Sequence, residues 1–90
     1  MAKPPYETDY LNLTRSLRRA RVSLPMDQRT LAAQLGVSQT FVSNYERGVK
    51  TLNVIEFVAI CSALSLDAGE QISIVQRRPA LKGKRAVGKG

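Results

Sequence analysis

The chain has 90 residues, a length that suits one domain with a small hydrophobic core. It contains no histidine and only one cysteine, so the sequence lacks the commonest general base, the commonest metal ligand and any intramolecular disulfide. We therefore expect no enzyme activity, no bound metal and no cofactor. The formal net charge is +7, but residues 77–90 hold six basic residues and no acidic one, which leaves eight basic against seven acidic residues in the rest of the chain. The excess charge indicates a polyanionic partner and lies mainly at the C-terminus.

The two ends of the chain differ in composition from its middle. Residues 1–8 are polar and include Pro4 and Pro5, which predicts a flexible N-terminus. Residues 77–90 combine basic residues with Pro79 and three glycines, which predicts a flexible, disordered basic tail. The folded domain is therefore predicted to span residues 9–76. The sequence has neither the roughly 18 consecutive apolar residues of a membrane span nor the apolar run of a signal peptide, so we expect a cytoplasmic protein without membrane contact.

A helical pattern opens the folded domain at residue 8 or 9. Its apolar residues recur at spacings of four, three and four and form one stripe, namely Leu13, Leu17, Ala20 and Leu24. Pro25 is incompatible with continuation of this helix, which is expected to end a few residues earlier. The same segment carries a cluster of arginines. Three of them are interpreted as a solvated face or as weak phosphate contacts: Arg15, Arg18 and Arg19.

Two short helices joined by a tight turn are predicted next. Asp27 is a suitable N-cap for a second helix over residues 28–35. Gly36 then stands where a left-handed residue is needed, and Ser38 caps a third helix that runs to about Arg47, with Gly48 as its terminator. The apolar residues expected to face inward are Leu31, Ala32, Leu35, Phe41, Val42 and Tyr45.

The remaining two helices begin with capping signals. Asn53 and Glu56 have the spacing of a capping box, which opens a fourth helix to about residue 65. Its expected core residues are Val54, Phe57, Ile60 and Leu64. Ile55 and Val58 are additional apolar residues that either complete the core or mark a dimer surface. Residues 67–70 repeat the capping signal and start a fifth segment through residue 75, although residues 72–75 also fit a strand added to a dimer partner.

The two short helices and their turn resemble a known DNA-reading module. Residues 28–39 (QRTLAAQLGVSQ) and 41–48 (FVSNYERG) are similar to the helix-turn-helix of the Cro/C1-type, or Xre-like, regulators, which include the lambdoid phage repressors and Cro proteins. The resemblance extends from about Leu13 to Asp67. It implies an all-α, compact five-helix domain of the lambda repressor type that binds double-stranded DNA. Ser65 departs from the family pattern, which commonly has glycine after the fourth helix.

The resemblance also implies roles for individual side chains near the turn. Gln28 corresponds to a glutamine that contacts a backbone phosphate and braces the recognition helix. Gln39 and Thr40 correspond to the principal base readers, with Ser43 as a third. The complete DNA-binding set implied in this way is Gln28, Ser38, Gln39, Thr40, Ser43, Asn44, Arg47 and Lys50.

Further residues match positions around the recognition helix. Asn44 and Arg47 fit phosphate or base contacts farther along that helix, and Lys50 fits a backbone contact in the loop that follows. Arg21 and Glu46 correspond to a buried ion pair that ties the third helix to the first.

The sequence therefore favours a sequence-specific transcriptional regulator. We expect a repressor that binds a palindromic operator as a homodimer, with two recognition helices about 34 Å apart in successive major grooves. It would be associated with the nucleoid when bound to DNA. Two alternatives remain: a DNA-binding antitoxin that also masks a toxin, and a helical protein-binding module that holds another regulator. The basic tail leaves RNA binding open, although the body lacks aromatic residues stacked on a sheet.

Overall fold

The computed structural model describes residues 7–76, which form five α-helices and, within that range, no strand. The helices are α1 (Glu7–Ser23), α2 (Gln28–Leu35), α3 (Gln39–Glu46), α4 (Val54–Ala63) and α5 (Ala68–Gln76). The predicted all-α, five-helix fold is confirmed, and the strand considered for residues 72–75 is wrong because these residues belong to α5. α1 begins two residues before the predicted start of the domain. The predicted basic tail and the first six residues lie outside the described residues.

The helix starts follow from side chains that accept hydrogen bonds from the backbone. Asp27 Oδ1 accepts from the N–H of residue 30 at 2.7 Å, and Ser38 Oγ accepts from that of residue 41 at 3.1 Å. Asn53 and Glu56 form the reciprocal capping box predicted for α4. Asp67 Oδ1 caps α5 through the N–H of residue 70 at 3.1 Å. Each cap contributes about 1 kcal/mol and fixes where a helix begins.

The core lies where α1 packs against α3 and α5, and where α2 packs against α3 and α4. Its largest fully buried side chains are Thr14, Leu17, Leu31, Val42, Tyr45, Ile60 and Cys61. Phe57 and Leu64 of the predicted core are also buried. None of the helices described over residues 7–76 is long and apolar enough to span a membrane.

The structure corrects the predicted burial at the ends of two helices. Leu24 lies beyond the last residue of α1 and is 43% exposed, while the neighbouring buried position on α1 is taken by Arg21. Val54 is 73% exposed because it is the first residue of α4 and no other helix covers it. Ile55 and Val58 are 77% and 47% exposed, so the interpretation that they complete the core is wrong.

Three helices, α2, α3 and α4, end through the same left-handed turn, at Gly36, Gly48 and Ser65. Gly36 has a φ of +73°, and the next residue, Val37, donates its N–H to the carbonyl of Ala32 at 3.0 Å. Ser65 has a φ of +59°, and the following Leu66 donates to the carbonyl of Cys61 at 2.8 Å. Glycine adopts this conformation without steric cost, whereas any other L-residue there costs about 1–2 kcal/mol. Ser65 therefore adopts the same turn geometry as Gly36 at a cost in stability.

Candidate nucleic-acid interface

The core fixes one side of α3 and leaves the other side polar. Val42 and Tyr45 are fully buried and anchor the helix. The opposite side carries the predicted base-reading side chains. Gln39 and Thr40 in the first turn are exposed, and Ser43 one turn later is half-buried. Such a face presents hydrogen-bonding groups at the end of the helix that enters a major groove most deeply.

A buried ion pair joins α3 to α1. Arg21 Nε donates to Glu46 Oε2 at 2.6 Å, and its Nη2 donates to Glu46 Oε1 at 3.0 Å. Arg21 Nη1 also donates to the carbonyl of Met26 at 2.7 Å, just before α2. The hydrogen bonds that Arg21 donates to Glu46 raise the pKa of Arg21 above its ordinary value. One guanidinium therefore links α1, α3 and the loop that leads to α2.

Gln28 continues this network toward the polar face of α3. Its Nε2 donates to Glu46 Oε1 at 2.9 Å, and its Oε1 accepts from Gln39 Nε2 at 3.4 Å. An ionised carboxylate only accepts hydrogen bonds, so Glu46 fixes which end of the Gln28 amide faces it. Gln39 in turn is left with its Oε1 and one N–H bond that make no hydrogen bond within residues 7–76.

The other predicted contact residues lie along the same side of the molecule or next to it. Arg47 Nη2 donates to Asn44 Oδ1 at 2.8 Å at the end of α3. Lys50 Nζ lies 4.8 Å from the centroid of the Phe41 ring and 4.0 Å from Glu56 Oε2. Lys50 is thus held between α3 and the first turn of α4. The predicted contact Ser38 uses its hydroxyl oxygen to cap α3.

Tyr10 is a structural residue of the interface that sequence reasoning missed. Its hydroxyl donates to the carbonyl of Lys50 at 2.7 Å and accepts from the N–H of Leu52 at 3.0 Å. Burial is the main reason that the pKa of Tyr10 is raised. The loop between α3 and α4 is therefore fastened to α1, and no local pattern in the sequence signals a contact across 40 residues.

The structure also draws attention to two arginines near Gln28. Arg29 was not singled out from the sequence, and Arg18 was not distinguished from Arg15 and Arg19. A polar groove is lined by Arg21, Asp27, Gln28, Arg29 and Gln39. Arg29 is exposed and directly follows Gln28 in the sequence, which is the one signal that points to it. From the other side of the network, Arg18 Nε lies 3.9 Å from Glu46 Oε1, the oxygen that also accepts from Gln28. Within residues 7–76 no group of acidic or cysteine side chains is arranged to hold a metal ion.

Comparison with protein families decides what kind of domain this is. The Helix-turn-helix family model matches residues 17–71, which is more than half of the chain. The chain belongs to the Cro/C1-type helix-turn-helix family. It is similar to y4dL, an uncharacterized HTH-type transcriptional regulator of Sinorhizobium fredii, with 36% identity over 62 residues. That alignment covers 69% of this chain and 31% of the relative, so this Cro/C1-type chain corresponds to about a third of the relative's length.

Solved structures show the same fold. The restriction-modification controller protein C.AhdI from Aeromonas hydrophila superposes with a TM-score of 0.69 at 24% identity, over 76% of this chain and 99% of that one. The clp gene regulator ClgR from C. glutamicum has a TM-score of 0.68 at 22% identity, over 91% of this chain and 100% of that one. The family match and the shared fold together identify a Cro/C1-type helix-turn-helix domain over most of this chain.

Proposed function

We propose that this Cro/C1-type regulator is a repressor that binds a palindromic operator as a homodimer, with residues 9–76 as its DNA-binding domain. The observation that supports this most directly is the polar outer face of α3, which is braced through Gln28 to the buried Glu46. A recognition helix that is fixed in this way can enter a major groove without losing its orientation. Repression requires only that the bound dimer occupies promoter DNA, so it needs no further active surface.

The hydrogen bonds of Gln39 indicate the kind of base that it reads. Its Oε1 and its remaining N–H bond form a neighbouring acceptor and donor. An amide of this kind pairs in a bidentate manner with N6 and N7 of adenine in the major groove. We therefore propose that Gln39 reads adenine, while Thr40 and Ser43 contact neighbouring bases. On one side of α3, we propose that phosphates are contacted by Asn44, Arg47 and Lys50. On the other side, Gln28 contacts a phosphate. Ser38, at the start of α3, lies close to the DNA.

Substitutions on α3 test this assignment. Gln39→Ala should weaken binding to the selected operator by about 1–3 kcal/mol and relax the preference for one base pair. Gln34→Ala is the matched control, because this exposed glutamine lies on α2 away from the groove. Selection from a random duplex library by each variant, followed by titration of the selected duplex, measures both effects. If Gln39→Ala and Gln34→Ala select the same sequence as the wild type, Gln39 does not read a base.

An apolar groove supports self-association of two copies. Its lining includes Val54 and Val58 of α4 and Ile72 of α5, all of them exposed. All residues that line it are uncharged, and none belongs to α2 or α3. A two-fold interface places the same surface against itself, so a charged surface would repel its copy whereas an uncharged apolar surface is buried favourably. Pairing here would leave both recognition helices accessible to DNA.

The proposed dimer can be tested on the two sides of α4. Val58→Lys places a charge in the groove with α5, whereas Ile55→Lys makes the same change beside α3, where Ile55 lines a separate small cavity. Sedimentation equilibrium without DNA should show a dimer for the wild type and Ile55→Lys and a monomer for Val58→Lys. A dimeric Val58→Lys variant would place the interface elsewhere. A monomeric wild type that still binds single half-sites would refute the homodimer alone.

A further inference from the structure

The structure separates the arginines of α1 into different classes. Arg21 is buried and paired with Glu46. Arg18 keeps 59% of its side chain exposed and reaches only the edge of the same carboxylate, at 3.9 Å. This distance exceeds that of a hydrogen bond, and the single negative charge of Glu46 is already matched by Arg21. Arg18 therefore contributes a positive charge that this carboxylate does not neutralise.

Arg29 brings a second exposed positive charge to the same place from α2. It lines the polar groove together with Gln28 and Gln39. The acidic residue of that groove, Asp27, caps α2 through Oδ1, which accepts from the backbone N–H of residue 30; its charge also attracts that of Arg29, but the Arg29 side chain stays exposed. Gln28 thus lies beside two arginines. Arg18 approaches Glu46, the carboxylate to which Gln28 donates, and Arg29 follows Gln28 in the sequence.

We propose that Arg18 and Arg29 bind the DNA backbone phosphate at Gln28 and those next to it, as a pair that anchors the operator strand beside the recognition helix. Guanidinium groups bind phosphate oxygens with charge-assisted hydrogen bonds, and such contacts position the protein without reading sequence. The pair would hold the strand while Gln39, hydrogen-bonded to the same Gln28, reaches the base edge. This inference rests on the proposed mode of DNA binding and adds two anchoring residues to it.

The salt dependence of binding tests the proposal. The logarithm of affinity falls with the logarithm of salt concentration, with a slope of about 0.9 for each phosphate contact. Arg18→Ala and Arg29→Ala should each reduce the slope by about 0.9 for a monomer and about twice that for a dimer. Each should weaken binding by the same factor on the duplex selected by the wild type and on a scrambled duplex of equal length. The base preference should not change.

Two controls distinguish phosphate binding from other effects. Arg19→Ala removes an equal charge from the same helix, but this exposed residue lies about 160° from Arg21 around α1, so its slope should match the wild type. Arg18→Lys and Arg29→Lys keep the charge and should keep the slope. Because both arginines are exposed, thermal melting of all variants should stay close to that of the wild type.

The failures are also distinguishable. Unchanged slopes for Arg18→Ala and Arg29→Ala, or the same reduction for Arg19→Ala, would refute the pair while leaving the base-reading role of α3 intact. If the wild type selected no sequence, sequence-specific regulation would be refuted. The slopes on the scrambled duplex would then still report whether these arginines bind phosphate.

Discussion

Glu46 is a single carboxylate that accepts hydrogen bonds from both Arg21 and Gln28, so Glu46→Gln tests its contribution to stability and to the proposed DNA reading together. The substitution keeps the size of the side chain but removes its charge and replaces one acceptor oxygen with a donor. Arg21, which is 8% exposed, then loses its neutralising partner, and one of its N–H groups or that of Gln28 loses an acceptor. Breaking a buried ion pair from one side costs about 3–5 kcal/mol.

The magnitude is large for a domain of this size. About 70 ordered residues provide a free energy of unfolding of roughly 4–10 kcal/mol. Glu46→Gln should therefore remove a third or more of the stability. Urea unfolding followed by circular dichroism at 222 nm should show a midpoint lowered by more than 2 M, given an m-value of about 1 kcal/mol/M. A loss below about 1 kcal/mol would show that the pair is not an important constraint on the fold.

A double substitution separates the two roles of the pair. Replacing a buried ion pair by apolar residues of similar size is often neutral or stabilising. Arg21→Met with Glu46→Leu should therefore be more stable than Glu46→Gln. It should still fail to bind the selected duplex with wild-type affinity, because nothing fixes the amide of Gln28. Fluorescence anisotropy measures that affinity. A double variant with both normal stability and normal affinity would refute the role of Glu46 in positioning Gln28.

Three further outcomes are expected from other parts of the domain. Tyr45→Phe should stabilise the protein by about 1 kcal/mol, because the buried Tyr45 hydroxyl has no hydrogen-bond partner within residues 7–76. Tyr10→Phe should instead destabilise the protein by about 1 kcal/mol, because the Tyr10 hydroxyl makes two hydrogen bonds. Urea unfolding measures both, and equal signs would contradict the reasoning. Ser65→Gly should raise the melting temperature by relieving the left-handed backbone, whereas the same change at Ser62 inside α4 should lower it by weakening the helix. Finally, burial raises the pKa of the Cys61 thiol above its ordinary value of 9.0. Because the unfolded chain then releases this proton at a lower pH than the folded protein, stability should fall as pH rises from about 9 through the raised pKa. Melting temperatures recorded across that range should fall less steeply for Cys61→Ala.

The helix boundaries were accessible from sequence because the signals that set them are local. Asp27, Ser38 and Asn53 each accept from a backbone N–H three residues ahead, and this spacing is visible in the chain. Burial was less accessible. Leu24 and Val54 fit the apolar period, yet both are exposed because burial at the end of a helix depends on whether another element covers it. Whether a helix end is covered depends on the packing of the whole domain and not on the helical spacing of apolar residues.

The candidate site divides in the same way. Gln28 and Gln39 were identified because the sequence around them resembles the helix-turn-helix of a known family, and the structure brings them together in one hydrogen-bond network. The special positions of Arg18 and Arg29 could not be found in the same manner, since exposed arginines in a helix look alike in sequence. Only the packing of α1 against α3 shows that Arg18 reaches the carboxylate that also holds Gln28.

The capping residues have a consequence for how quickly the domain assembles. Because Asp27, Ser38, Asn53 and Asp67 each define a helix start through a contact only three residues long, the segments can acquire their limits before they meet one another. Chains dominated by such short-range contacts cross their folding barrier in microseconds to milliseconds. A domain built in this way can regain its native state soon after synthesis or transient unfolding, so we expect folding to be fast compared with synthesis of the chain.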